Sequence, residues 1–266
     1  MDKNKFPVVL TFDVDGETLW IARDPKNWER PVTLSQGQYG PKVAVPRILK
    51  LLDKYDIKAT FFIPGYIMDT YPEMAKAVHQ AGHEIAHHGY YHEWPENFAS
   101  EEEERQSFER GIEAIQKITG QKPAGYRSPA WEFSPWTIKI LQDLDFLYSA
   151  NMMDNDAPYI HHGLVELPVQ WCLDDAAFWL YSSKIPGKTI QPAGSVYEYW
   201  KDEFDGLYHE EGKCFVLTMH PQVIGRPGRM KMLEKLIQFM KGYPDTWFST
   251  AKGLAMHVAR RNGLAV

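Results

Sequence analysis

The chain has 266 residues, 44% of them hydrophobic, which is enough to bury one large core and matches the size of one α/β barrel domain without requiring a second. A formal net charge of -6 offers no basic surface to offset phosphate repulsion and argues against a nucleic-acid partner. Two cysteines, Cys172 and Cys214, exclude a disulfide framework or a thiolate cluster and read as small buried hydrophobes of a reduced, cytoplasmic protein, while no apolar stretch approaches a membrane span.

The opening residues are charged and run straight into a strand, so a removable leader is not expected. That strand, 7–15, is followed by a segment rich in aromatic, Pro, Gly and charged residues, 18–41, predicted as a long loop. A helix over 42–55 places Val43, Pro46, Ile48, Leu49 and Leu52 in broadly helical spacing, and strand 59–64, helix 71–80 and strand 83–89 come next. Residues 101–119 open on four acids and set Phe108, Ile112, Ile115 and Ile118 along one face, the pattern of an amphipathic helix with a favourable N-terminal charge. Strand 125–131, helix 134–144 and strand 146–152 follow, then a second predicted loop at 151–163, strand 164–169 and a third loop at 174–193. The chain closes with helix 195–208, strand 214–221, helix 229–241, strand 246–250 and helix 250–261. Repeated strand–helix order predicts an α/β fold, a TIM-like (β/α) barrel occupying residues 1–266 as a single domain. An open doubly wound sheet is the alternative, because periodicity does not reveal whether the first and last strands meet. In a barrel the loops after strands build the active face, which makes the three long loops the expected substrate walls.

The first strand ends in Thr11-Phe12-Asp13-Val14-Asp15-Gly16-Glu17, where two carboxylates one residue apart face the same side if the extended backbone persists. Like charges this close need a cation, although Asp and Gly equally suit a plain turn. The third strand ends in His87-His88-Gly89-Tyr90-Tyr91-His92-Glu93. His88 and His92 have the i, i+4 spacing that two imidazole ligands use on one turn, and neutral imidazole suits zinc and its neighbours; His87 points the other way and packs or makes a supporting bond. A lone histidine is more often a satisfied core or surface residue, which is the reading for His79, His83, His161, His162, His209 and His257. Val216-Leu217-Thr218-Met219-His220-Pro221 ends on another histidine where barrels put their chemistry. His220 either protonates a leaving nitrogen or simply caps a Pro-ended strand.

Taken together these elements resemble the polysaccharide deacetylase superfamily, carbohydrate esterase family four. Thr11-Phe12-Asp13-Val14-Asp15-Gly16 resembles its Thr-Phe-Asp-Asp-Gly opening, His88 and His92 match its His-x-x-x-His motif, Arg127-Ser128-Pro129-Ala130-Trp131 looks like its Arg-x-Pro motif, and His220 matches its late Leu-x-x-His element. The resemblance implies a distorted (β/α)7 barrel with one divalent metal ion on Asp15, His88 and His92, Asp13 as general base oriented by Arg127, and His220 as general acid. Val14 stands where the family has two adjacent aspartates, so Glu17 is the alternative base. Zn²⁺ is the expected ion, and Co²⁺, Mn²⁺, Fe²⁺ or Ni²⁺ also suit the donor set.

The segments 86–95 and 164–175 resemble a branch containing peptidoglycan deacetylase homologues, cyclic imide hydrolases and allantoinases. On that resemblance Trp131, Trp171, Asp174 and Asp175 are candidate pocket walls, joined by Glu17 and Trp20. The expected activity is metal-dependent hydrolysis of a non-peptide carbon–nitrogen bond in a small cyclic imide or related amide, because an aromatic slot suits a planar ring and no export segment is evident. N-deacetylation of peptidoglycan, chitin-type or other amino-sugar substrates is the alternative, and a non-catalytic sugar- or metal-binding module the distant one. The branch also implies a symmetric homo-oligomer, a tetramer included.

Overall fold

In β1 (Phe6–Asp13) Val8, Leu10 and Phe12 enter one apolar cluster while Val9 enters another, the alternation of a strand buried on both faces. The computed structural model describes residues 5–181 and 189–264, so part of the loop predicted at 174–193 lies outside the described residues. The remaining strands are β2 (Thr60–Ile63), β3 (Glu84–His87), β4 (Gly125–Tyr126), β5 (Tyr148–Ser149), β6 (Tyr159–His161), β7 (Leu164–Glu166), β8 (Phe215–Met219) and β9 (Thr246–Ser249). They form one sheet in the order β6-β7-β5-β4-β3-β2-β1-β8, with β9 also paired to β1, and every pairing is parallel except β6 with β7. Across the seam between β7 and β8 the described residues supply a single parallel bridge, Asp174 to Thr218. The sheet is therefore a distorted α/β barrel rather than an open doubly wound sheet.

One core lies inside the curved sheet, where Val9, Phe62, Ala86, Tyr148, Val165 and Val216 meet. The other lies under the helices, where Val8, Phe12, Phe61, Ile63 and Leu217 pack against Ile48, Leu52 and Leu233. The helix Glu101–Thr119 matches its predicted bounds because both ends are specified locally. Ser100 accepts a hydrogen bond from the Glu103 N–H at 3.2 Å, Glu103 reaches back to the Ala99 N–H at 2.8 Å, and Gly120 stops the helix at φ 72°. Its buried Phe108, Ile112 and Ile115 each contribute roughly 1.5–3 kcal/mol of apolar burial.

All three predicted loops hold regular structure, the third in the short helix Asp175–Trp179. Residues 18–41 contain the helices Thr18–Ile21 and Pro31–Tyr39 with a 3-10 turn, Pro25–Glu29, between them. Pro31 suits a first helical turn, but Gly37 is the buried residue of Pro31–Tyr39, so the helix has no apolar stripe and leaves no helical period in the sequence. The segment 151–163 contains β6, a three-residue edge strand too short to show alternation. No helix among the described residues is long and apolar enough to cross a membrane.

Candidate active site

The alternation of β1 continues past its last paired residue. The Val14 N–H donates to the Phe62 carbonyl at 2.8 Å and its side chain joins Phe12 in the outer core, which leaves Asp13 and Asp15 together on the other face. Adjacent aspartates on the same backbone would point to opposite faces; the intervening Val14 keeps both carboxylates inward. Thr18 then closes the turn, its N–H and hydroxyl donating to the Asp15 carbonyl at 3.0 and 2.6 Å.

Asp15 Oδ1 lies 3.4 Å from His88 Nε2 and 3.7 Å from His92 Nε2. Ligand atoms around a tetrahedral Zn²⁺ at bond lengths near 2.0–2.1 Å are separated by about 3.3 Å, so the spacing suits one small cation. The donor set is almost completely enclosed, with Asp15 0%, His88 2% and His92 4% exposed, and Asp15 Oδ1 has no hydrogen-bond partner. A buried bare carboxylate oxygen is costly unless a positive charge faces it. His88 Nδ1 lies 2.7 Å from the Arg127 carbonyl, which can only accept, so the proton sits on Nδ1 and the lone pair on Nε2 faces Asp15. Burial alone would raise the Asp15 pKa, but His92, His88 and His220 hold it well below the usual carboxylate range. Burial also pushes His92 down to about 4, toward the neutral form that ligates metals.

The two histidines are not on one turn of regular structure, as their spacing predicted, but on an irregular loop after β3, with Gly89 at φ 71° and His92 at φ 61°. Glu93, which sequence reasoning did not identify as a support, closes that loop by accepting from the Tyr91 and Tyr90 N–H groups at 2.8 and 3.2 Å. A non-glycine residue in the left-handed region marks a conformation that the surrounding bonds must hold. His87 faces away, stacked on Phe108 with its Nε2 3.0 Å from the Phe108 carbonyl, and burial pushes it down to about 3. A Cβ on Gly111 would lie 2.3 Å from that nitrogen, so the helix Glu101–Thr119 approaches the histidine loop only because residue 111 is glycine.

Arg127 is fully buried and its Nη1 donates to Asp13 Oδ1 and Thr11 Oγ1, both at 2.7 Å, with its guanidinium carbon 4.2 Å from the Phe62 ring centre. His220, the residue after β8, places Nε2 3.7 Å from Asp15 Oδ2 and Nδ1 2.7 Å from Asp175 Oδ1. Burial would strip its proton, but the Asp174 and Asp175 carboxylates outweigh that and hold its pKa well above the usual histidine range.

Asp174 and Asp175 are thus not open pocket walls. Asp175 is fully buried with both oxygens also accepting from the His220 N–H, at 3.1 and 3.0 Å, while Asp174 caps the helix Asp175–Trp179 through the Ala176 N–H at 2.6 Å. The partner of Asp175 lies 45 residues away, beyond the reach of any local pattern. We expect Asp175→Asn to move the alkaline limb of the kcat/KM profile down by about 1–3 pH units, because the carboxylate that favours charged His220 is gone; an unmoved limb would remove Asp175 from that role.

Glu17 accepts a 2.5 Å hydrogen bond from the Tyr71 hydroxyl, and its other oxygen is buried without a partner. Trp20 is half-buried on the helix Thr18–Ile21. The Trp131 and Trp171 rings lie 4.5 Å apart; Trp131 is buried at φ 58°, whereas Trp171 is 52% exposed. Gln222, which the sequence did not single out, directs its amide nitrogen to Asp15 Oδ2 at 3.4 Å.

An α/β barrel that collects an aspartate and two histidines just beyond β1 and β3, with a buried carboxylate and a further histidine beside them, has the make-up of a metal-dependent hydrolase. Comparison with known proteins narrows that class. Residues 1–149 match the polysaccharide deacetylase family model. The chain is 31% identical to a peptidoglycan deacetylase of Helicobacter pylori, over 96% of this chain and 97% of that one. A crystal structure from Mycobacterium smegmatis, assigned to the polysaccharide deacetylases, is 40% identical with a TM-score of 0.93, covering 99% of this chain and 93% of its own. An allantoinase structure with a TM-score of 0.85 and 24% identity, covering 99% and 93%, shares the fold. The chain belongs to the polysaccharide deacetylase family, metal-dependent hydrolases of carbon–nitrogen bonds other than peptide bonds.

Proposed function

We propose that this chain removes the acetyl group from N-acetylated amino sugars of a glycan, peptidoglycan or chitin-type, giving a free amine and acetate. The observation that carries the reading is the meeting of three parts in one buried cluster: the Asp15, His88 and His92 donors, the Asp13–Arg127 pair and the His220–Asp175 pair. Full-length similarity to a protein named a peptidoglycan deacetylase supports the substrate class.

Asp15, His88 and His92 are the residues that would hold the ion, with Zn²⁺ the best match to two imidazoles and one carboxylate. When bound, the ion polarises the amide carbonyl and lowers the pKa of the attacking water. Asp13 accepts that water's proton, its carboxylate aimed by Arg127. His220, kept protonated by Asp175 and Asp174, gives its proton to the departing nitrogen. Trp131 and Trp171, their rings tilted 41° to one another, offer an apolar wall for the sugar ring. Glu17, committed to Tyr71, supports the turn after Asp15 rather than serving as base.

The sequence favoured a cyclic imide, on the aromatic insertions and the charged N-terminal residues. Neither concerns the reacting groups, and the full-length relatives outweigh both. A small planar ring stays as the second reading because Asp13, Asp15, His88 and His92 are all at least 96% enclosed, which suits a compact substrate; a cytoplasmic location goes with that reading. The exposed Trp28, Val32, Tyr181 and Ile190 supply apolar surface for the homo-oligomer that belongs to this proposal.

Acetate release from N-acetylglucosamine oligomers and from peptidoglycan, measured beside ring opening of succinimide and allantoin, separates the readings. We expect turnover of the acetylated glycans. Turnover confined to the rings would replace the deacetylase reading with the second one.

A further inference from the structure

We infer that Gln222 is a positioning residue for Asp15, holding the ligating carboxylate in the plane that presents Oδ1 to the ion. The inference rests on the metal reading of Asp15, His88 and His92. Asp15 divides its two oxygens between different partners: Oδ1 faces the His88 and His92 imidazoles, while Oδ2 faces His220 Nε2 at 3.7 Å and the Gln222 amide nitrogen at 3.4 Å. A carboxylate attached at Oδ1 alone can swing about its own bond. A donor on Oδ2 stops that swing. Because a carboxylate only accepts, the Gln222 amide must turn its NH₂ group toward Asp15. Gln222 is 5% exposed and sits in the short helix Pro221–Ile224, two residues after His220, so the same segment that carries the proton donor also grips the ligand.

The helix overhead is shaped to this pair. A Cβ on Gly37 would lie 2.3 Å from the Gly16 carbonyl oxygen, directly after Asp15, and a Cβ on Gly40 would lie 3.1 Å from Gln222 Oε1 and 3.4 Å from its backbone nitrogen. Residues three apart share a helix face, so one side-chain-free face covers both the Asp15 turn and Gln222. Gly40 also opens the π-helical turn Gly40–Ala44, an insertion common at functional sites. At the far end of the Gln222 segment Arg47 donates to the Gly225 carbonyl at 2.5 Å and Arg229 to the Val223 carbonyl at 2.7 Å. Both bonds hold the backbone just past Gln222, and with Gln222 Oε1 buried without a partner, the bond to Asp15 is the hydrogen bond its side chain makes among the described residues.

The test is the Zn²⁺ dissociation constant of the full chain, measured by competition with a chromophoric chelator, alongside thermal unfolding of the metal-free proteins. Gln222→Leu removes the donor, and Gln222→Glu keeps the shape while replacing the donor with a second acceptor. Each is expected to weaken Zn²⁺ binding by about 10–100-fold, the usual loss when a group that orients a ligand is removed. Unchanged affinity in either folded variant overturns the inference, including the case in which both lose thermal stability through packing alone. His88→Ala serves as the control that tests the metal reading: a wild-type chain whose Zn²⁺ affinity equals that of His88→Ala would overturn the reading and the inference together, whereas loss in the control with none in the Gln222 variants overturns the inference alone.

Discussion

Replacing Asp13 with Asn is expected to leave Zn²⁺ bound and to lower kcat by about 10²–10⁴-fold, the range that a positioned general base contributes. Asn keeps an oxygen that can accept from Arg127 Nη1, now bonded to Asp13 Oδ1 at 2.7 Å, so the side chain stays placed while its charge and basicity disappear. Metal content and kcat measured on one preparation give the answer. Glu17 is the rival, and its 2.5 Å bond to the Tyr71 hydroxyl already engages one oxygen. If Asp13→Asn keeps its turnover while Glu17→Gln loses it, the base is Glu17.

The second large effect is expected from His88→Ala, which should weaken metal binding by more than about 100-fold, beyond the loss seen when only a supporting residue is changed. His88 Nε2 is one of the three atoms proposed to hold the ion, and its Nδ1–H also bonds the Arg127 carbonyl at 2.7 Å. Loss of that bond in a site where His88 is 2% exposed leaves the carbonyl without this donor, a cost of about 1–3 kcal/mol to the metal-free protein as well. Stoichiometric metal analysis after dialysis checks the first part and thermal unfolding of the metal-free protein the second. A variant that retains stoichiometric metal would take His88 out of the donor set.

The strand-end residues proposed to carry the chemistry were legible because β1 and β8 are mostly apolar and buried, so Asp13 and His220 stand out at their ends, while three histidines within six residues mark the end of β3. The helix Glu101–Thr119 was legible for a similar reason, its caps and apolar face all lying within its own residues. What escaped was non-local or unpatterned. Asp175 is tied to His220 across 45 positions, so two acids opening a helix looked like pocket walls rather than a histidine's support. Pro31–Tyr39 packs through a glycine instead of an apolar stripe, and a backbone-to-backbone contact at Gly37 leaves no periodic trace. His88 and His92 were chosen by spacing, but their loop is set by left-handed Gly89 and His92 and by the Glu93 carboxylate, features that spacing does not encode.

Deacetylation by this chain is proposed to require a metal ion held by Asp15, His88 and His92. The most direct test of that requirement is acetate release from N-acetylglucosamine oligomers before chelation, after verified removal of metal, and after return of Zn²⁺ at one equivalent. Release is expected to stop on removal and to recover on return. Undiminished release from protein shown to be free of metal would contradict it.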